Sequence, residues 1–181
     1  MAKSGDEYNF DKSTNALVTI SYEHHEVHSG SFFSTYEETS DIGAETAPAD
    51  AIQIIFTTPA DDEVHMVIHA MCTAAAVYTF TEAWTGGAGG GVTLTPYNRD
   101  RNSSKRSGMT SMQDSNTAVV TGGTVLETQT LTTGKFDAGE MRASQEWILK
   151  KNTKYAVGLY LDGNGVAEIA LNWYEHKNLT D

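Results

Sequence analysis

The chain has almost no cysteine, and over a long stretch no positive charge. Cys72 stands alone, so no disulfide forms within the molecule. It lies in the apolar run from Met66 to Tyr78, where a small core residue is the expectation, since a reactive thiol needs exposure and a setting that stabilises the thiolate. No run of about 18 apolar residues exists, which leaves no helix for a membrane span. The start, Met1 to Glu7, lacks the apolar segment of a signal peptide, and the expectation is a protein made and assembled in the cytoplasm.

Lys and Arg are absent from Ser13 to Asn98, whereas Glu23, Glu26, Glu37, Glu38, Asp41, Glu45, Asp50, Asp61, Asp62, Glu63 and Glu82 all fall there. The net charge of -12 argues against nucleic acid as a partner, because a phosphate backbone demands a positive surface. Basic residues then arrive together as Arg99, Arg101, Lys105 and Arg106 around Asp100. A molecule so divided has an acidic face and a basic spot, which favours docking on a surface of opposite sign or head-to-side packing of identical subunits. A solvated acidic surface that only confers solubility is the plainer alternative. Arginine forks pair with carboxylates in bidentate fashion and tolerate desolvation, so this loop is the expected interaction site; an internal network of Arg99 or Arg101 with Asp100 is the competing reading.

With 39% hydrophobic residues, 181 residues suffice for one substantial core. Residues 1–15 are polar and without period, and read as a flexible arm; residues 16–181 read as a single β-sandwich domain. Apolar side chains recur every second residue from Ala16 to Tyr22, Ile52 to Phe56, Val64 to Cys72, Tyr155 to Leu161 and Ala167 to Trp173. Further strands are expected at Ser31 to Tyr36, Val77 to Thr81, Val92 to Thr95, Ala118 to Thr121, Thr124 to Leu131 and Glu146 to Leu149. Glu37 to Asp50, Tyr97 to Asp114 and Thr132 to Ser144 read as loops. Gly122-Gly123 and Asp162 to Gly165 read as hairpin turns, and Thr73 to Ala76 as a bend or hairpin. About nine to eleven strands with no convincing helix point to an all-β fold: an antiparallel two-sheet sandwich, jelly-roll-like. No repeat of 20–50 residues is visible, which argues against a propeller or solenoid.

Chemistry-bearing motifs are few. The run His24-His25-Glu26-Val27-His28 lacks the His-Glu-x-x-His spacing of a zincin. On a strand, His24, Glu26 and His28 share a face and form a weak candidate for a divalent ion; hydrogen-bonded or interface histidines are the alternative. His65 and His69 lie about 13 Å apart on a strand, too far for one ion, and read as partly buried surface. Gly86 to Gly91 and Gly134-Lys135 lack the ending of a phosphate loop, no Gly-x-Ser-x-Gly elbow exists, and the acids at 61–63 sit in a turn. The expectation is a binding protein without cofactor or enzymatic chemistry. Trp84, Tyr97 and Trp173 are candidate stacking platforms for a glycan, although Trp147 and Trp173 fit better in the core.

Four segments carry a resemblance: Ile20 to Gly30 (ISYEHHEVHSG), Asn98 to Ser103 (NRDRNS), Glu146 to Tyr155 (EWILKKNTKY) and Leu171 to His176 (LNWYEH). In this order, spanning about Ala16 to His176, they resemble tailed-bacteriophage virion proteins of the head decoration (cement) type. The resemblance implies a β-rich, often trimeric protein that clamps neighbouring capsomers on the capsid exterior, with the major capsid protein and further copies of itself as partners. A receptor- or glycan-binding module of a tail or fibre is the alternative.

Overall fold

The computed structural model describes residues 22–42, 51–87, 91–114, 120–132 and 146–177. The expected arm 1–15, the strand at 16–21 and most of the expected loops at 43–50 and 133–144 lie outside them. The described residues form one short helix, α1 (Tyr22–His28), and ten strands: β1 (Phe32–Ile42), β2 (Ala51–Thr57), β3 (Glu63–Cys72), β4 (Ala76–Glu82), β5 (Tyr97–Asn98), β6 (Thr110–Asp114), β7 (Thr124–Leu131), β8 (Trp147–Leu149), β9 (Lys154–Leu161) and β10 (Gly165–His176). They assemble into two five-stranded sheets, β5-β1-β10-β3-β8 and β6-β2-β9-β4-β7, antiparallel at every pairing. Without the short edge strands β5 and β6, the order β1-β10-β3-β8 facing β2-β9-β4-β7 is that of an eight-stranded jelly roll.

Period-two alternation explains which side chains meet between the sheets. Phe33, Val64, Met66, Ile68, Ile169, Leu171 and Trp173 of the first sheet are buried against Ile52, Ile54, Phe56, Tyr78, Phe80, Tyr155, Val157 and Leu159 of the second. Each fully buried large side chain contributes about 1.5–3 kcal/mol. Trp173 is fully enclosed, as its place in the alternation demands, and Trp147 packs edge-on to Phe80 at 5.3 Å. Cys72 ends β3 only partly buried, packed against the core rather than in it, and burial raises its thiol pKa.

Three expectations about connections need correction. Asp162 to Gly165 is no hairpin: β9 pairs with β2 and β4, whereas β10 pairs with β1 and β3. The chain instead arches from one sheet to the other there, as it does between β2 and β3, β3 and β4, and β8 and β9. Inward faces alternate identically in a hairpin and in an arch, so periodicity does not separate them. Likewise β7 pairs with β4, and Gly122 and Gly123, both at positive φ, lead into it from Thr121, which bridges Gly86 instead; residues 118 and 119 of the expected strand lie outside the described residues. The expected strand at 92–95 is one isolated bridge, Thr93 to Gln113.

Two more boundaries move. The acidic stretch after Tyr36 continues as strand to Ile42, because β10 supplies partners as far as Gly165. The expected loop 97–114 begins with β5 and ends with β6. The arches stack in pairs at the two ends of the sandwich. At one end Thr58 Oγ1 donates to Lys150 O (2.6 Å) and accepts from Thr153 N (2.9 Å), and Asn152 N donates to Pro59 O. At the other, Asp162 N donates to Ala75 O (2.7 Å) and Val166 N to Thr73 Oγ1 (2.8 Å).

Candidate functional site

Residues 98–109 form a loop on the surface whose two ends are anchored in the interior. Asn98 is almost fully buried; its amide donates to Gly30 O (2.8 Å) and Lys105 O (3.0 Å), and its Oδ1 accepts from Asp100 N (2.9 Å). At the far end, buried Glu175 of β10 accepts from Gly108 N (2.7 Å), Ser107 Oγ (2.5 Å) and Trp173 Nε1 (2.9 Å). Buried polar groups so paired hold one conformation, because each bond lost would leave a desolvated donor or acceptor.

The loop displays the expected interaction residues Arg99, Arg101, Lys105 and Arg106, all exposed. Arg99 lies over the Phe32 ring at 4.8 Å, Arg101 over Tyr97 at 5.9 Å, and Lys105 Nζ donates to Ser31 Oγ at 2.6 Å. Asp100 turns its Oδ1 to the Asn102 amide at 2.9 Å, so it shapes the loop as a turn former. The four basic residues share this one loop, and Asn98 and Glu175 pin its two ends. Both fall within segments quoted above, but only Glu175, a polar residue inside an alternating apolar strand, carries a signal of its role.

The weak metal candidate His24, Glu26 and His28 is not assembled. These residues form α1, not a strand. Gly30 at φ 69° ends it, with Gly30 N donating to Val27 O and Ser31 N to Glu26 O, the paired bonds of a Schellman cap. One helical turn brings His24 and His28 together, Nε2 to Nε2 at 3.0 Å, while Glu26 points to the buried side and meets His25 Nδ1 (3.3 Å) and Ser29 Oγ (3.2 Å). A spacing of four residues fits a helix better than a strand, and glycine after the histidines marks the stop.

The outward face of the first sheet bears a second polar group. Register sets Phe32 beside Tyr174 and Tyr174 beside His65. A groove of about 210 Å³ crosses this face, with Arg99 on one side, Glu146 on the other, and His65, His69, Asn172 and Tyr174 between. His65 and His69, expected as partly buried surface, are that. Among the proposed stacking platforms, Tyr97 is exposed, whereas Trp84 lies under Lys154 Nζ at 4.8 Å and Trp173 is buried.

At the arch between β8 and β9, Glu82 bridges Lys150 Nζ (2.7 Å) and Tyr155 OH (3.0 Å), and Tyr155 OH accepts from Lys150 N (2.9 Å). The hydrogen bond from Lys150 is the main cause holding the Glu82 carboxyl below its ordinary pKa; burial pushes the Tyr155 phenol up. Among the described residues no helix is long and apolar enough to cross a membrane. No protein-family model, curated protein or solved structure matches the chain.

Proposed function

We propose that the chain is a structural virion protein, a decoration or cement protein that binds the outer surface of a phage head. The single observation that carries this reading is the basic loop of Arg99, Arg101, Lys105 and Arg106, held rigid by Asn98 and Glu175 on a molecule of net charge -12. A preformed loop loses little backbone freedom on docking, which confines the ordering cost to its side chains. The jelly roll is compatible with the role, as capsid domains, lectins and cupins share that architecture, but a fold alone does not assign a function. The resemblance of four segments to head decoration proteins supplies the viral setting.

In this proposal the loop docks on acidic surface of the major capsid protein or of a neighbouring copy, and a homotrimer clamps adjoining capsomers. A protein that binds assembled shell and not free subunits stabilises the shell by mass action, so each contact is weak and the sum is large. Particle purification followed by quantitative mass spectrometry tests it: the chain is expected in stoichiometric copies, and its removal lowers the melting temperature of the shell. Absence from particles refutes the proposal.

A second reading, a receptor- or glycan-binding module of a tail or fibre, draws on the groove between Arg99 and Glu146, whose polar side chains suit hydroxyl recognition. Glycan-array binding by the isolated domain, lost on changing Asn172, favours it over the first.

A further inference from the structure

We propose that Glu63, His65 and His176 form a binding site for a divalent transition-metal ion, zinc by the chemistry of the donors. Glu63 and His65 stand two apart on one face of β3, and the β3–β10 register sets His176 directly opposite Glu63. One ligand atom from each lies within 4.8 Å of the others, and the rings of His65 and His176 are 4.8 Å apart. The side chains of His65 and Glu63 are only 11% and 23% exposed, so the cluster is sheltered yet reachable.

The outer contacts orient the donors. His65 Nδ1 faces Tyr174 OH (3.0 Å) and Glu146 Oε2 (3.4 Å), while His65 Nε2 faces Glu63 Oε1 (3.1 Å). A neutral imidazole has one N–H and serves one of these two carboxylates. With an ion bound at Nε2, the single proton sits on Nδ1, facing Glu146 and Tyr174, and Glu63 turns from hydrogen-bond partner of His65 into a fellow ligand. This is the carboxylate–histidine–metal relay found around zinc. His176 is oriented in the same sense: its Nδ1 lies 2.9 Å from Lys177 O, a donor position that puts the lone pair on Nε2. Two imidazoles and one carboxylate select zinc or a neighbouring transition ion over calcium or magnesium, which require oxygen ligands, and leave a fourth position for water.

The site is independent of the virion reading, and so is its test. Tag-free chain stripped with chelator is titrated with Zn²⁺ by calorimetry and with Co²⁺ by visible absorption. The expected result is one ion per chain with the absorption of a four-coordinate cobalt site. His176→Ala and Glu63→Gln each weaken binding at least about tenfold, and Glu146→Gln, which keeps the ligands, about 10- to 100-fold. Glu63→Gln is isosteric, so it remains informative if His176→Ala disturbs the fold, and the double variant His24→Ala/His28→Ala is expected to bind as the parent does. No saturable binding at micromolar ion overturns the site, as does binding lost in the His24/His28 variant and untouched by Glu63→Gln.

Discussion

The carboxylate of Glu175, buried beneath the surface of β10, accepts the backbone N–H of Gly108 at 2.7 Å. Through this bond a residue of the core-forming strand fixes one end of the basic loop. Glu175→Ala removes the acceptor for Gly108 N, Ser107 Oγ and Trp173 Nε1 together, and is expected to destabilise by about 2–4 kcal/mol in urea unfolding. Limited trypsin digestion gives a local readout: Arg99 to Arg106 resist cleavage in the parent and are cut faster in the variant.

Asn98 fixes the other end. Asn98→Asp replaces an amide that donates to Gly30 O and Lys105 O with an acceptor facing two carbonyls. The expected loss is about 2–4 kcal/mol at neutral pH. Asn98→Ala, which leaves the carbonyls unpaired but not repelled, is expected to lose less. Chemical denaturation of the two variants side by side checks the order.

The stacked arches are tested at Gly165, where a Cβ meets Thr73 Oγ1 at 2.8 Å and Ala74 N at 3.1 Å. Gly165→Val is expected to lower stability by about 1–3 kcal/mol, since the Ala74 backbone has to move. At exposed Val166, on the opposite face of the strand, Val166→Thr is expected to fall within about 0.5 kcal/mol of the parent, and thermal melts of the two variants side by side check the contrast.

Glu82 gives stability a pH dependence. Its folded pKa lies below the ordinary glutamate value, so its contribution is present above the ordinary carboxylate range and is lost as pH falls through the folded pKa. Glu82→Gln is therefore expected to destabilise by about 1 kcal/mol at pH 7, discounted because Lys150 is exposed. The gap to the parent closes on acidification toward pH 3. Denaturant midpoints measured across that range decide it; a gap that widens with acid contradicts the assignment.

Most of the sandwich was legible because burial on one face imposes a period of two, and Val64 to Ala70, Tyr155 to Leu161 and Ala167 to Trp173 show it plainly. Partners were less legible. The turn Asp162 to Gly165 suits a hairpin and an arch equally, and only the strand partners, β2 and β4 for β9 against β1 and β3 for β10, separate them. The helix α1 was hidden because Tyr22, His24, Glu26 and His28 alternate as a strand would, although the pair four apart and Gly30 mark a helix and its stop. The basic loop stood out from charge alone. Its anchors did not, since Asn98 and Glu175 act through contacts distant in sequence, and Glu63 and His176 meet only once β3 and β10 are in register.

The central claim, docking on a shell through the rigid basic loop, is tested most directly by add-back. Particles stripped of the chain are mixed with parent protein or with Arg99→Glu/Arg101→Glu/Lys105→Glu/Arg106→Glu protein of matched thermal stability, and bound chain and shell melting temperature are measured. The parent is expected to bind saturably and raise the melting temperature, and the charge-reversed protein to do neither at the same concentration. Equal restoration by both proteins, or a parent that never binds the shell, contradicts the claim.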